Sequence, residues 1–248
     1  MPKDPKTLFW LYPCSSAFHP CSSVFQRFRA FVSHYDLIVF DWDGTLMDST
    51  RLIARSLQRA CADVGITVPT ERDALFVIGL NMHDTFNLVA PELDEAGRRR
   101  LADRYRHHFL TEEHEAPLYD GVVPMLSELH GRGRQLAVAT GKARRGLDRA
   151  LDATGLRRWF AATRCADEGF AKPHPGMLLM LLDLTGVDPA RALMVGDTTH
   201  DLELAANAGI DAIAVSYGAH HEELLATRPA KARCATVLEL HQWLAANA

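Results

Sequence analysis

Two acidic clusters carry the clearest potential for chemistry in this 248-residue chain. Asp41-Trp42-Asp43-Gly44-Thr45 holds two carboxylates at i, i+2, a spacing that puts both on one side of an extended backbone. Gly44 can turn the chain sharply and let backbone N–H groups approach an anion. Asp197-Thr198-Thr199-His200-Asp201 holds a second pair. If Asp201 opens a helix, it sits one turn from Asp197, within reach of one ion. Either cluster could instead cap a helix. Four carboxylates converging on one crevice would repel one another unless a hard cation neutralised them, and oxygen ligands with positions open to water and phosphate favour Mg²⁺. Two cationic or donor-rich segments complete the set. Thr140-Gly141-Lys142 offers a hydroxyl and free N–H groups to an anion. Lys172 lies in Ala171-Lys172-Pro173-His174-Pro175, where two prolines stiffen its approach. A lone lysine is ordinarily a solvated surface charge; rigid flanks make this one a candidate for binding phosphate.

The elements that must position these groups follow from the apolar pattern. Leu37–Phe40, Leu136–Ala139, Leu193–Val195 and Ala212–Val215 read as buried parallel strands, and the first three end at Asp41, Thr140 and Asp197. Helical patterns cover about Val123–His130, with Pro124 in the first turn, and about Lys142–Thr154, Pro175–Thr185 and His200–Ala208. Gly155, Gly186 and Gly209 stand where helix C-caps belong. Strands alternating with such helices predict an α/β fold, a Rossmann-like parallel-sheet core with helices on both faces. In such sheets ligands bind outside the carboxyl ends of the strands, where these polar groups stand.

Between the first and second strands lies a long stretch without a comparable strand signal. Arg51–Ala62 has apolar residues at helical spacing, Gly65 ends that helix, and Leu101–Leu110 suggests another. Pro117 and Gly121 mark the return to the sheet. The expected organisation is an irregular N-terminal extension over 1–35, a core over 36–50 and 118–248, and a small inserted helical cap over 51–117. Residues 1–35 mix Pro, Ser, Cys and aromatics without a period, as a poorly ordered extension would. Translation starting near Val32 would account for them, and the intact mass of natively expressed protein decides that point.

Composition narrows the class. Hydrophobic residues make up 48% and charged residues 23%, as in soluble globular proteins, which excludes collagen, coiled coil and disordered chains. The net charge of −4 supplies no global basic field for nucleic acid or acidic lipid. The runs Arg98–Arg100 and Arg144-Arg145 read as solvated helix faces. Cys14, Cys21, Cys61, Cys165 and Cys234 are scattered and contain no C-x-x-C pair, so neither a disulfide framework nor a structural zinc site is expected. Cys165 reads as a buried small hydrophobe rather than a nucleophile. No apolar run spans a bilayer, and the stretch Leu8–Tyr12 is too short for a signal peptide and is stopped by Pro13, so a cytoplasmic location is expected.

Four segments, Asp41-Trp42-Asp43-Gly44-Thr45-Leu46, Ala139-Thr140-Gly141-Lys142, Lys172-Pro173-His174-Pro175 and Val195-Gly196-Asp197-Thr198-Thr199-His200-Asp201, occur in this order. With them the chain resembles the haloacid dehalogenase superfamily, in its phosphoglycolate-phosphatase-like subgroup, from about Tyr35 to the C-terminus. The resemblance implies a Mg²⁺-dependent phosphatase acting on small-molecule phosphomonoesters, 2-phosphoglycolate foremost, with no nucleic-acid or membrane partner. It implies Asp41 as nucleophile and Asp43 as the acid and base. Gly44, Thr140, Gly141 and Lys172 would hold the phosphoryl group. The metal ligands would be Asp41, the Asp43 backbone carbonyl, Asp197 and Asp201, the last directly or through water. Asn81 and His83 in the cap are candidate substrate contacts. The retained Asp43 favours phosphoester chemistry over dehalogenation. A sugar-phosphate mutase is the alternative, although Gly79–Asp84 lacks the phosphate-gripping Arg of that group. A non-catalytic binding module is another, although Asp41, Asp43 and Lys172 are all present.

Overall fold

A short apolar run makes a central strand when both its faces are covered, and the first run does so. The computed structural model describes residues 35–248. Cys14, Cys21 and the expected extension lie outside the described residues. Leu37–Phe40 forms β1, buried throughout. Four helices follow: α1 (Thr50–Val64), α2 (Glu71–Phe76), α3 (Met82–Val89) and α4 (Glu95–Glu112). The chain returns through α5 (Val122–Gly131) to β2 (Gln135–Thr140), then α6 (Arg144–Thr154), β3 (Phe160–Cys165) and α7 (Gly176–Thr185). It closes with β4 (Ala192–Gly196), α8 (Thr199–Ala208), β5 (Asp211–Val215), α9 (Glu222–Leu225), β6 (Ala232–Cys234) and α10 (Val237–Asn247).

The six strands form one sheet in the order β3-β2-β1-β4-β5-β6, every pairing parallel. The order reverses between β1 and β4, which makes their carboxyl ends the switch point where such sheets open a crevice. Alternation assigns each strand residue to one of two cores. Ile38, Phe40, Leu136, Val138, Leu193 and Val195 join one, with Met125 and Leu129 of α5, Leu147 of α6 and Leu240 of α10. Leu37, Val39, Ala137, Ala139 and Met194 join the other, with Leu178 and Leu181 of α7 and Leu202 and Ala205 of α8. Helices therefore cover both faces, and the fold is the expected Rossmann-like α/β architecture. A third apolar cluster is built wholly from α1–α4 and their connections, including Leu57, Ala60, Ala74, Phe86 and Leu101. Burying a side chain such as Leu101 stabilises by about 1.5–3 kcal/mol, so the inserted helices hold one another in place.

Several elements differ from the sequence pattern for local reasons. Strands β3 and β6 carry no apolar run because they lie at the sheet edges and are only partly buried. Helices α2 and α3 are short. Their start signals are the caps Thr70 and Asn81, whose side chains accept from the Asp73 and Asp84 N–H groups. Helix α6 begins at Arg144, not Lys142, because Gly141–Ala143 form the loop after β2. Pro175 stands just before α7. Asp201 does not open α8; Thr198 caps it, and Asp201 completes a reciprocal capping box from the third position. Among the described residues no helix is long and apolar enough to cross a membrane.

Candidate active site

Parallel pairing of β1 with β4 brings Asp41 and Asp197, which are far apart in sequence, to the same sheet edge; the Asp41 N–H bonds the Val195 carbonyl at 2.9 Å. Asp41, Asp197 and Asp201 are all buried, and one carboxylate oxygen of each lies within 4.8 Å of the others. Lys172 is buried with them, its Nζ donating to Asp41 Oδ1 at 2.7 Å and to Asp201 Oδ1 at 2.6 Å. Asp197 accepts from the Thr45 hydroxyl at 2.8 Å and the Ala219 N–H at 2.7 Å. Asp201 accepts from Thr198, at 2.6 Å from the hydroxyl and 3.1 Å from the N–H.

Gly44 is required here on two counts. Its φ is +90°, and a Cβ would stand 2.1 Å from Asp197 Oδ2.

The cluster is short of positive charge, with three carboxylates against one ammonium. Burial, then repulsion from Asp41 and Asp201, holds the Asp197 carboxyl well above the ordinary carboxylate range. Burial likewise raises Asp41, against the opposing pull of Lys172. Burial opposes the Lys172 charge, yet Asp201 and Asp41 together hold its pKa above the ordinary lysine value. An uncompensated, all-oxygen donor set of this kind fits a hard divalent cation such as Mg²⁺.

The Asp43 carboxylate lies outside this group. It accepts from the Ser49 hydroxyl at 2.7 Å and from Lys142 Nζ at 3.0 and 3.1 Å. Lys142 also sits 4.7 Å from the ring centre of Phe109 on α4, which ties the loop after β2 to the inserted helices. Neither Ser49 nor Lys142 was marked by the sequence pattern as a partner of Asp43, because both contacts depend on how loops fold back.

Asp41 and Asp43 open onto a cavity of about 570 Å³ between the sheet edge and the inserted helices. Thr140, Gly141 and Lys142 line its core side, as do Arg145 and Arg149 of α6. Ile53, Leu57, Leu80, Met82, Thr85, Tyr105, Arg106 and Phe109 line the other side. Asn81 and His83 are not among the lining residues. Asn81 spends its amide on Asp84, accepting from its N–H and donating to its carboxylate at 2.8 Å each, and His83 is exposed. The i, i+3 face of α3 that meets the cavity is Met82 and Thr85 instead.

The inserted chain also meets the core near Gly141 and near His200 and His220. A Cβ on Gly141 would stand 2.5 Å from the Gly79 carbonyl oxygen, so the backbones meet there only because Gly141 has no side chain. The Phe76 carbonyl lies 2.9 Å from His200 Nε2 and 3.1 Å from His220 Nε2, and the Phe76 ring stacks on His220. His220 Nδ1 accepts from the Thr199 N–H, which leaves its Nε2–H as the donor to Phe76.

The Arg144-Arg145 run is divided: Arg145 is exposed, as a solvated face predicts, and Arg144 is not. Arg144 forks onto Glu168 with two bonds of 2.8 Å and reaches the Thr163 hydroxyl, while Arg145 faces the cavity. Cys165 is buried, and burial pushes its thiol up to about 12, which makes it a poor nucleophile.

Comparison with known proteins bears on this geometry. Residues 38–215 match the family model described as haloacid dehalogenase-like hydrolase. A Dickeya dadantii protein named "Probable phosphatase IndB" is 37% identical over 78% of this chain and 86% of its own length. The phosphoglycolate phosphatase of Agrobacterium fabrum is 34% identical over 73% of this chain and 81% of its own. A crystal structure titled as a predicted phosphatase from Clostridium acetobutylicum superposes with a TM-score of 0.76 at 26% identity, covering 86% of this chain and 99% of that one.

Proposed function

The chain belongs to the haloacid dehalogenase-like hydrolase family, and from that premise we propose that it is a Mg²⁺-dependent phosphatase of small-molecule phosphomonoesters, with 2-phosphoglycolate among its candidate substrates. One observation carries this reading: Asp41, Lys172, Asp197 and Asp201 form a buried, charge-deficient cluster at the β1/β4 switch point, with Asp41 and Asp43 open to a cavity.

The Asp41, Asp197 and Asp201 carboxylates and the Asp43 backbone carbonyl would hold the ion, which when bound offsets the repulsion between a carboxylate nucleophile and a phosphate dianion. Asp41 attacks phosphorus, and the bond to the leaving oxygen breaks as an aspartyl-phosphate forms. Asp43, entering the step in its acid form, gives its proton to that oxygen and becomes the carboxylate that Ser49 and Lys142 hold here, which then takes a proton from the water that cleaves the new P–O bond. Inorganic phosphate leaves and both carboxyls return to their starting state. Lys172 favours the ionised form of Asp41 against the effect of burial, and Thr140, Gly44 and Gly141 give the phosphoryl oxygens donors and room. The helices inserted after β1 act as a cap over the leaving group, over about residues 51–117.

The test is phosphate release from a panel of phosphomonoesters, including 2-phosphoglycolate, sugar phosphates and nucleotides. Release is expected with Mg²⁺, silence with EDTA, and recovery when Mg²⁺ is returned; turnover indifferent to chelation removes the acidic cluster from the account. Closure of the cap is tested by Gly141→Ala. The added methyl must displace the Gly79 carbonyl, and such a shift beside the reacting atoms is expected to lower kcat/KM about 10²-fold while the thermal midpoint holds.

A further inference from the structure

We propose that this site takes phosphomonoesters whose leaving alcohol carries a second anionic group beyond an apolar or aromatic segment, with Arg145 as the counterion of that anion. The inference rests on the phosphatase reading above and narrows its substrate class. A cavity of about 570 Å³ is in the range that encloses drug-sized ligands, larger than a phosphoryl group on a two-carbon acid requires. Its wall has an apolar stretch, with Ile53, Leu57, Met82 and Phe109, that would desolvate a carbon skeleton.

The cations of the lining decide which polar group the leaving alcohol can carry. Lys142 is neutralised by Asp43, Arg149 by Glu113 and Arg106 by Asp103. Arg145 also lines the cavity, at its solvent-exposed rim, and its guanidinium forms no ion pair or hydrogen bond with protein groups among the described residues. Of the other acids of the lining, Asp41 is paired with Lys172 and Asp167 accepts from the Arg144 N–H. A guanidinium at the cavity rim that no protein group occupies is available to an anion that the ligand brings, and its planar fork suits a carboxylate or a phosphoryl group alike.

Matched esters test this. Phenyl phosphate, 4-carboxyphenyl phosphate and phenyl 1,4-bisphosphate share the ring and differ in the distal group; 2-phosphoglycolate carries its anion with no such segment. In the full chain with Mg²⁺, kcat/KM is expected to favour either dianionic-plus ester over phenyl phosphate, and the larger preference tells carboxylate from phosphoryl. In Arg145→Gln that preference ratio should fall about tenfold or more, the worth of one charged hydrogen-bonded contact, with Arg145→Lys keeping part of it. The loss for 2-phosphoglycolate should be smaller. A ratio unchanged in Arg145→Gln, or an equal loss for 2-phosphoglycolate, overturns the proposal. If no ester is hydrolysed in an Asp41-dependent way, the phosphatase reading fails, and calorimetric titration of 4-hydroxybenzoate against phenol decides the anion site separately. Tighter binding of 4-hydroxybenzoate that is lost in Arg145→Gln sustains the site; equal binding by both proteins overturns it.

Discussion

Asp41→Asn is expected to lower phosphate release by about 10⁴-fold or more, because under the proposed mechanism an amide cannot form the aspartyl-phosphate and the remaining groups cannot substitute for a missing nucleophile. The same change should leave the fold intact or slightly firmer. Asp41 is one of three buried carboxylates facing a single ammonium, and its charge is costly where it stands. The asparagine oxygen can still accept from Lys172 Nζ. A phosphate-release assay beside a thermal melt checks both halves. Substantial residual turnover removes Asp41 as nucleophile, whereas loss of activity together with loss of the folding transition makes the residue structural.

Lys172→Met should be the most damaging single change to stability. It leaves Asp41, Asp197 and Asp201 buried together with no cation, and removing one partner of a buried ionic group costs about 3–5 kcal/mol. For a chain of this size that corresponds to a fall of about 6–20 °C in thermal midpoint without divalent cation. The deficit should depend on pH. Asp41 and Asp197 have raised folded-state pKa values even beside Lys172, and without it they rise further. A carboxyl raised in the folded state stabilises fully below its unfolded value and loses that contribution as pH climbs through its folded value. The gap between wild type and variant should therefore narrow as pH falls from 8 towards 5. Mg²⁺ should recover more stability in the variant than in wild type, because it binds the folded cluster alone and meets a greater excess of negative charge there. Equal melts at all pH values would mean that Lys172 is not the counterion of the cluster.

Much of the sheet and its polar ends was legible because those signals are local. A run such as Leu37–Phe40 declares a two-faced strand within four residues, and the polar group that stops it, Asp41, is the group the sheet edge presents. The same holds for Thr140 after β2 and Asp197 after β4. Once the strands are parallel, adjacency of β1 and β4 brings Asp41 and Asp197 together without any further information. Edge strands β3 and β6 escaped because partial burial removes the apolar run that marks a strand.

The groups between sheet and inserted helices were not legible in the same way. Lys142 reads locally as the start of a helix, but the loop after β2 delays that helix to Arg144 and turns the ammonium onto Asp43, 99 residues earlier. Asn81 and His83 looked like contacts because they lie in the right segment, whereas the third apolar cluster rotates α3 so that Met82 and Thr85 face the cavity. Arg145 was indistinguishable from a solvated arginine until its neighbours had taken other partners. The sequence by itself thus determined the strands, the groups at their carboxyl ends and the chemistry those groups can share, since a two-residue period and a chain stop act over a few residues. Only the tertiary structure decided which side chains line the cavity, because that depends on how α1–α4 pack on one another and where Gly141 lets them meet the core.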